Sequence, residues 1–273
     1  MKRYFISVDL EGVHGVVGEP YSGLLRTISD YPVAVENATA EINCAINALF
    51  DGGADEVVVW DGHGGGGNLD FTKIDARAKK IGTRGENSVY TPYRFDNVKA
   101  QNFDGVIYIG YHAREGSGGI LAHTYSSVVN QYIKINGQQL GEFDIDARIC
   151  GEFNAPALFA ASDDVCLNQI KQTSPDTVTV LTKTAYSRNS ALFRDRNEVL
   201  GEIYDGVRQA LTKEIQPVKF TYPLDFEIRY TRMEHASERL ASLKDVLPTL
   251  CYGEDTHVLK ATIYNVDELR LFF

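Results

Sequence analysis

Three short apolar runs, YFISV (Tyr4–Val8), VVVW (Val57–Trp60) and VIYIG (Val106–Gly110), constrain this chain more than any other feature of its sequence. Runs of β-branched and aromatic residues without strict alternation suit strands buried on both faces of a sheet. Between the first two, Val35, Ala38, Ile42, Ala45, Ile46 and Leu49 recur at helical spacing over Val33–Phe50, and Gly52-Gly53 supplies a stop. Strand, helix, strand is a βαβ unit, so the two strands should be parallel neighbours in one sheet. The expected fold class is α/β, with a central, largely parallel sheet flanked by helices.

Farther along, Thr124–Glu142 alternates around Asn136-Gly137 and predicts a β-hairpin, followed by a helix from about Gly141 to Phe153. Pro156–Ala161 and Thr177–Thr184 read as strands, and Ala191–Lys213 as an amphipathic helix with Leu192, Val199, Ile203, Val207 and Leu211 inward. Lys219–Tyr230 and His257–Tyr264 alternate as half-buried strands of a smaller α+β C-terminal part. A boundary near Pro217 would divide an α/β catalytic domain (1–216) from that smaller region (217–273).

Charge narrows the range of partners. Lys and Arg total 27 against 37 Asp and Glu, a net charge of −10, which repels nucleic acid and anionic membranes alike. The run Tyr4–Val8 is far too short to span a bilayer, and the four cysteines form no C-x-x-C pair. Reduced thiols in a cytoplasmic protein are the expectation.

The chemistry sits at the strand ends. Asp9 and Glu11 follow the first strand two residues apart, a spacing that in extended chain points both carboxylates to one side. His63 closes the second run in VVVWDGH, and His112 closes the third in VIYIGYH. Carboxyl ends of parallel strands gather in one crevice, so these residues offer oxygen and nitrogen ligands together, a mixture that suits zinc. Glu142, opening the helix after the hairpin, can bring a third carboxylate. A lone histidine after a strand more often plays a structural part, but four such residues at equivalent points on three strands favour a shared cation. Five ligands exceed the needs of one tetrahedral ion, and Asp9 is the expected bridge between two. His123, in GGILAHTYSS, is a candidate for proton transfer or oxyanion stabilisation.

Together, SVDLEG (Ser7–Gly12), DGH (Asp61–His63), GYHAR (Gly110–Arg114), AHT (Ala122–Thr124) and GEFDIDA (Gly141–Ala147) make the chain resemble the zinc-dependent D-aminopeptidase family associated with dipeptide-transport operons. The resemblance covers roughly the first 165 residues. It implies a dinuclear zinc centre on Asp9, Glu11, His63, His112 and Glu142 with Asp9 bridging, and His123 as the catalytic histidine. It further implies hydrolysis of the N-terminal residue of small peptides or amino-acid amides, with D-residue selectivity, by a ring-shaped homodecamer. The chain departs from the family at His14, Gly62, Asp146 and Ser162, where a small residue, serine, asparagine and glycine are usual; none of these is a ligand.

Two other readings stay open on sequence. One keeps the metal but makes the enzyme another amidase or hydrolase. The other is a non-catalytic nucleotide-binding protein using the glycine loop Gly62–Gly67, which formally satisfies G-x-G-x-x-G after a strand.

Overall fold

The computed structural model describes residues 1–21, 23–82 and 95–273. Seven strands form the main sheet: β1 (Arg3–Val8), β2 (Glu56–Asp61), β3 (Lys79–Ile81), β4 (Gly105–Ile109), β7 (Ala157–Asp163), β8 (Val178–Ser187) and β9 (Ser190–Phe193), in the order β3-β2-β1-β4-β7-β8-β9. All neighbours are parallel except β8 and β9. The smaller, antiparallel sheet has the order β11-β12-β10-β5-β6, from β5 (Asn130–Ile135), β6 (Gln138–Gln139), β10 (Leu224–Tyr230), β11 (Cys251–Tyr252) and β12 (Val258–Ile263). Strands from either side of residue 217 therefore share this second sheet.

The apolar runs are continuous because the main sheet is covered on both faces. Along β1, Tyr4, Ile6 and Val8 enter one core with Ile42, Ile46, Val199, Ile203 and Val207, while Phe5 enters the other with Ile145, Ile149, Cys166 and Ile170. Helices α1 (Asp30–Asp51) and α5 (Arg196–Ala210) supply the first core, and α3 (Glu142–Glu152) and α4 (Asp164–Thr173) contribute to the second. At about 25 cal/mol per Å² of apolar surface removed from water, such two-sided burial is the dominant stabilising term. Among the described residues, no helix is long and apolar enough to cross a membrane.

Local signals match much of this order. Asn136 and Gly137 both adopt positive φ, 53° and 78°, as the tight turn between β5 and β6 demands. The segment Ala191–Lys213 differs from its expected form. Residues 190–193 pair with β8, and the helix begins only after Asp195, whose carboxylate accepts from the backbone N–H of Asn197 and Glu198. Leu192 is accordingly exposed (55%) rather than inward, whereas Val199, Ile203 and Val207 are fully buried. Leu192 stands seven residues before Val199, so helical spacing alone extended the pattern across a strand and a cap.

One buried carboxyl belongs to the frame. Glu41, on α1, accepts from the backbone N–H of His14 (2.9 Å), and its other oxygen has no hydrogen-bond partner. Burial lifts this carboxyl from 4.5 to about 7. Between those values the folded chain holds a proton that the unfolded chain has released, so Glu41's contribution to stability is complete below pH 4.5 and lost as pH rises through about 7. Glu41→Gln, which keeps the acceptor for His14, is expected to remove this dependence and to gain roughly 2 kcal/mol over wild type at pH 8. Urea unfolding of both proteins at pH 5 and pH 8 tests this; parallel pH slopes would refute it.

Candidate metal centre

The chain leaves β1 toward β2 on one side and later returns to β4 on the other, so β1 and β4 border the point where the connections diverge. In open α/β sheets that crevice, at the carboxyl ends of the strands, is where ligands bind. Asp9 and Glu11 lie just past β1, His63 past β2 and His112 past β4. The two inner loops are laced by backbone hydrogen bonds from Asp9 N to Ile109 O (2.8 Å) and from Gly12 N to Gly110 O (2.7 Å). Glycine is required on both sides: a methyl on Gly12 would stand 1.9 Å from Tyr111 O, and one on Gly110 would stand 2.1 Å from Asp9 O. The glycines of SVDLEG and GYHAR thus serve one close approach of backbones.

The expected residues come together. His63 Nδ1 lies 2.8 Å from Asp9 Oδ1 and 3.1 Å from Glu11 Oε2. His112 Nε2 lies 3.5 Å from Asp9 Oδ2 and 3.0 Å from Glu142 Oε1. The two oxygens of Asp9 therefore face two different imidazoles. Among the described residues, ligand atoms gather within 4.8 Å of one another in three groups: Asp9 with Glu11 and His63; Asp9 with His112 and Glu142; and Glu11 with His112 and His123.

Supporting contacts fix which imidazole atoms face the cluster. His112 Nδ1 lies 3.1 Å from Ala113 O and donates to it, which turns the lone pair of Nε2 toward the carboxylates. Although Glu142 Oε1 is close, Nε2 lacks the alignment of a hydrogen bond and is a buried atom without such a partner. His123 Nδ1 donates to Leu121 O (2.7 Å), and its ring stacks on His112 with centroids 4.0 Å apart. Leu121 and Tyr125, on either side of His123, hold positive φ of 50° and 59°, a costly backbone for such residues. Tyr125 uses that turn to donate its N–H to Glu142 Oε1 (2.7 Å).

Electrostatics describe one demand. Burial, and then the charge of Glu11, push the Asp9 carboxyl up to about 7. Burial also acts upward on Glu11, but the charge of His63 prevails and holds it well below the ordinary carboxylate range. Burial opposes charging of His63 and His112, yet Glu11 carries His63 well above its usual value and Glu142 carries His112 to about 10. His123 is instead lowered, by burial and by the neighbouring His112. Three buried carboxylates require positive charge, and a divalent cation can supply it through the imidazole lone pairs that protonation would consume.

Several residues that the sequence reading passed over complete the setting. Lys183, fully buried in β8, donates from Nζ to the backbone carbonyls of Glu11 (2.6 Å), Val13 (2.7 Å) and Val16 (2.7 Å). Its neighbour Thr182 donates to Gly12 O (2.7 Å), so two consecutive side chains hold four carbonyls of the ligand loop. A lysine inside the largely β-branched run TVTVLTKT, where no other charge stands, was the available signal. Asp146 stands apart from the cluster, accepting from Tyr111 Oη (2.8 Å) and Tyr125 Oη (2.9 Å), and His14 Nε2 donates to Arg194 O (2.9 Å). The glycine run after β2 opens no helix; residues 64–78 are turns, bends and irregular backbone, so the helix N-terminus that a dinucleotide pyrophosphate needs is absent there.

The chain is similar in sequence and fold to known proteins. A D-aminopeptidase of Bacillus subtilis (strain 168) is 27% identical over 188 residues, which span 69% of this chain and 66% of that protein. The solved structure of the Zn-dependent D-aminopeptidase DppA from Bacillus subtilis, described as a self-compartmentalizing protease, shares the fold with a TM-score of 0.84 at 21% identity, over 99% of this chain and 94% of that one. Residues 1–249 match the profile of the D-aminopeptidases, and the chain belongs to that family.

Proposed function

We propose that Asp9, Glu11, His63, His112 and Glu142 hold two zinc ions per chain, with Asp9 as the bridge, in a centre that removes the N-terminal residue of small peptides or amino-acid amides. The observation that carries this reading is the division of the Asp9 carboxylate, whose Oδ1 faces His63 and whose Oδ2 faces His112. The buried, unpartnered Nε2 of His112 fits a metal ligand better than a structural histidine, which would be hydrogen bonded at both nitrogens.

When bound, zinc supplies Lewis acidity and a hydrolytic water that ionises near neutral pH. The chain's own residues arrange the rest. Asp9, Glu11 and Glu142 hold the positive charge in a buried crevice, where the low dielectric strengthens each interaction. His123, with Nδ1–H committed to Leu121 O, presents Nε2 to the cluster at 3.8 Å from Glu142 Oε1. That atom can take a proton during attack and return it to the leaving amine. Its lowered pKa keeps the ring neutral, and so able to accept, at pH 7.

Selectivity for D-residues, assembly into a ring-shaped homodecamer and a cytoplasmic site of action complete the proposal. The relative DppA is a self-compartmentalizing protease, and no disulfide joins the four cysteines of this chain. The expected results are two zinc ions per chain by elemental analysis of zinc-supplied protein, and activity on D-aminoacyl peptides that chelation abolishes and zinc restores. Size-exclusion chromatography with light scattering should return ten times the chain mass. A metal-free protein with full peptidase activity would defeat the reading.

A further inference from the structure

A cavity of about 600 Å³ opens directly beside the cluster, and His63 is part of its wall. Leu24, Leu25, Arg26, Tyr31, Asn68 and the glycines 64–66 line much of the remainder. Among the described residues that line it there is no carboxylate, and Arg26 is the one fixed cation. In a chain of net charge −10, with three carboxylates in the adjoining centre, a cationic wall without an acidic counterpart requires a reason.

Arg26 is held by neutral groups alone. Its Nη2 donates to Gly66 O (2.9 Å), Gly67 O (3.0 Å) and Asn68 Oδ1 (3.2 Å), and among the described residues it pairs with no carboxylate. The acceptors are themselves anchored: Asn68 Nδ2 donates to Asp61 Oδ1 (2.9 Å) and His63 O (2.7 Å), and Tyr31 Oη donates to Asn68 Oδ1 (2.7 Å). Arginine has five N–H donors in a rigid fork, so Nη1 and Nε remain suited to a planar anion. Gly66 N donates to His63 O (3.0 Å), closing a turn that sets the two Cα atoms within about 7 Å. The guanidinium bound at Gly66 O and the His63 side chain thus belong to one turn-closed loop and line the same cavity.

Resting on the aminopeptidase reading, we infer that Arg26 binds the free α-carboxylate of a di- or tripeptide whose N-terminal residue lies at the metal centre. Selection is then for short peptides with an unblocked C terminus. A longer chain would bring a neutral peptide group to the guanidinium, and an amide would bring no charge. The neutral lining of Leu24, Leu25 and the glycines accommodates the intervening residue without a charge requirement of its own.

The test uses zinc-loaded enzyme and matched substrates, the same D-aminoacyl dipeptide and its L-form, each as free acid and as C-terminal amide. For wild type the acid is expected to exceed the amide in kcat/KM by roughly 10- to 100-fold, mainly through KM, as a charge-assisted bidentate contact would give. In Arg26→Gln the acid-to-amide ratio should collapse toward one, and in Arg26→Lys it should recover in part. Because the readout is a ratio, a general loss of folding or metal moves both substrates together and leaves the ratio at its wild-type value, which would overturn the inference. Equal rates for acid and amide in wild type would overturn it also, while leaving the aminopeptidase reading intact. Failure of zinc-loaded wild type to cleave any of the four would overturn that reading, and this one with it.

Discussion

Asp9→Ala is expected to lose both zinc ions together, whereas His63→Ala and His112→Ala should each lose one. The reason is the arrangement of ligand atoms: Asp9 belongs both to the group with Glu11 and His63 and to the group with His112 and Glu142. Each histidine faces only one oxygen of that carboxylate. In the proposed two-ion centre, removing the shared residue would also take away the negative charge that offsets the repulsion between the cations. Activity should fall by about 10⁴ or more in Asp9→Ala, since both the activation of water and the polarisation of the carbonyl depend on the ions. Zinc per chain in the three variants, measured by elemental analysis beside wild type, separates a bridging role from five independent ligands. Loss of a single ion from Asp9→Ala, with the pattern of the histidine variants unchanged, would show that Asp9 serves one ion only.

The second large effect should come from a residue that touches no substrate. In Lys183→Met the side chain keeps its approximate length and loses the ammonium, leaving the carbonyls of Glu11, Val13 and Val16 buried without their donor. Each unsatisfied buried acceptor costs about 1–3 kcal/mol, so a loss of about 3–5 kcal/mol is expected once the loop has relaxed. For a chain of this size that lowers Tm by roughly 10 °C. Burial draws the Lys183 pKa down to about 8 against the opposing pull of Asp163, so the group still carries its charge at pH 7. The loop it grips carries Glu11, and zinc affinity should therefore decline along with stability. Thr182→Val, which removes only the contact to Gly12 O, should show the same pair of effects at smaller size. A Lys183→Met protein with wild-type Tm and zinc affinity would show that the loop holds its shape without the clamp.

Much of the architecture was legible from local chemistry. Continuous apolar runs gave buried parallel strands because both faces of the main sheet are covered, and the spacing of Ile42, Ile46 and Leu49 gave the intervening helix because those residues share one face. Asn136-Gly137 marked the hairpin because both positions need positive φ. The placement of Asp9, Glu11, His63 and His112 at one edge followed from the same strands, since parallel neighbours end on the same side. Family resemblance, rather than spacing, gave weight to Glu142 and His123.

Tertiary structure alone decided the rest, and in each case through contacts between residues distant in sequence. The hairpin β5–β6 sits beside β10, with Phe226 opposite Ile135 and Ile228 opposite Ile133, a register that no local pattern encodes. Ser190–Phe193 became a strand because β8 offered a free edge, although its residues continue a helical spacing. Lys183 grips a loop some 170 positions earlier, and Arg26 reaches the glycine loop 40 positions later. The sequence by itself determined which segments were strands and where their reactive ends would lie, because burial on both faces and alternation act over a few residues. Only the folded chain decided which oxygen of Asp9 meets which histidine, and which cation closes each loop, because those choices depend on the angle at which separate elements pack.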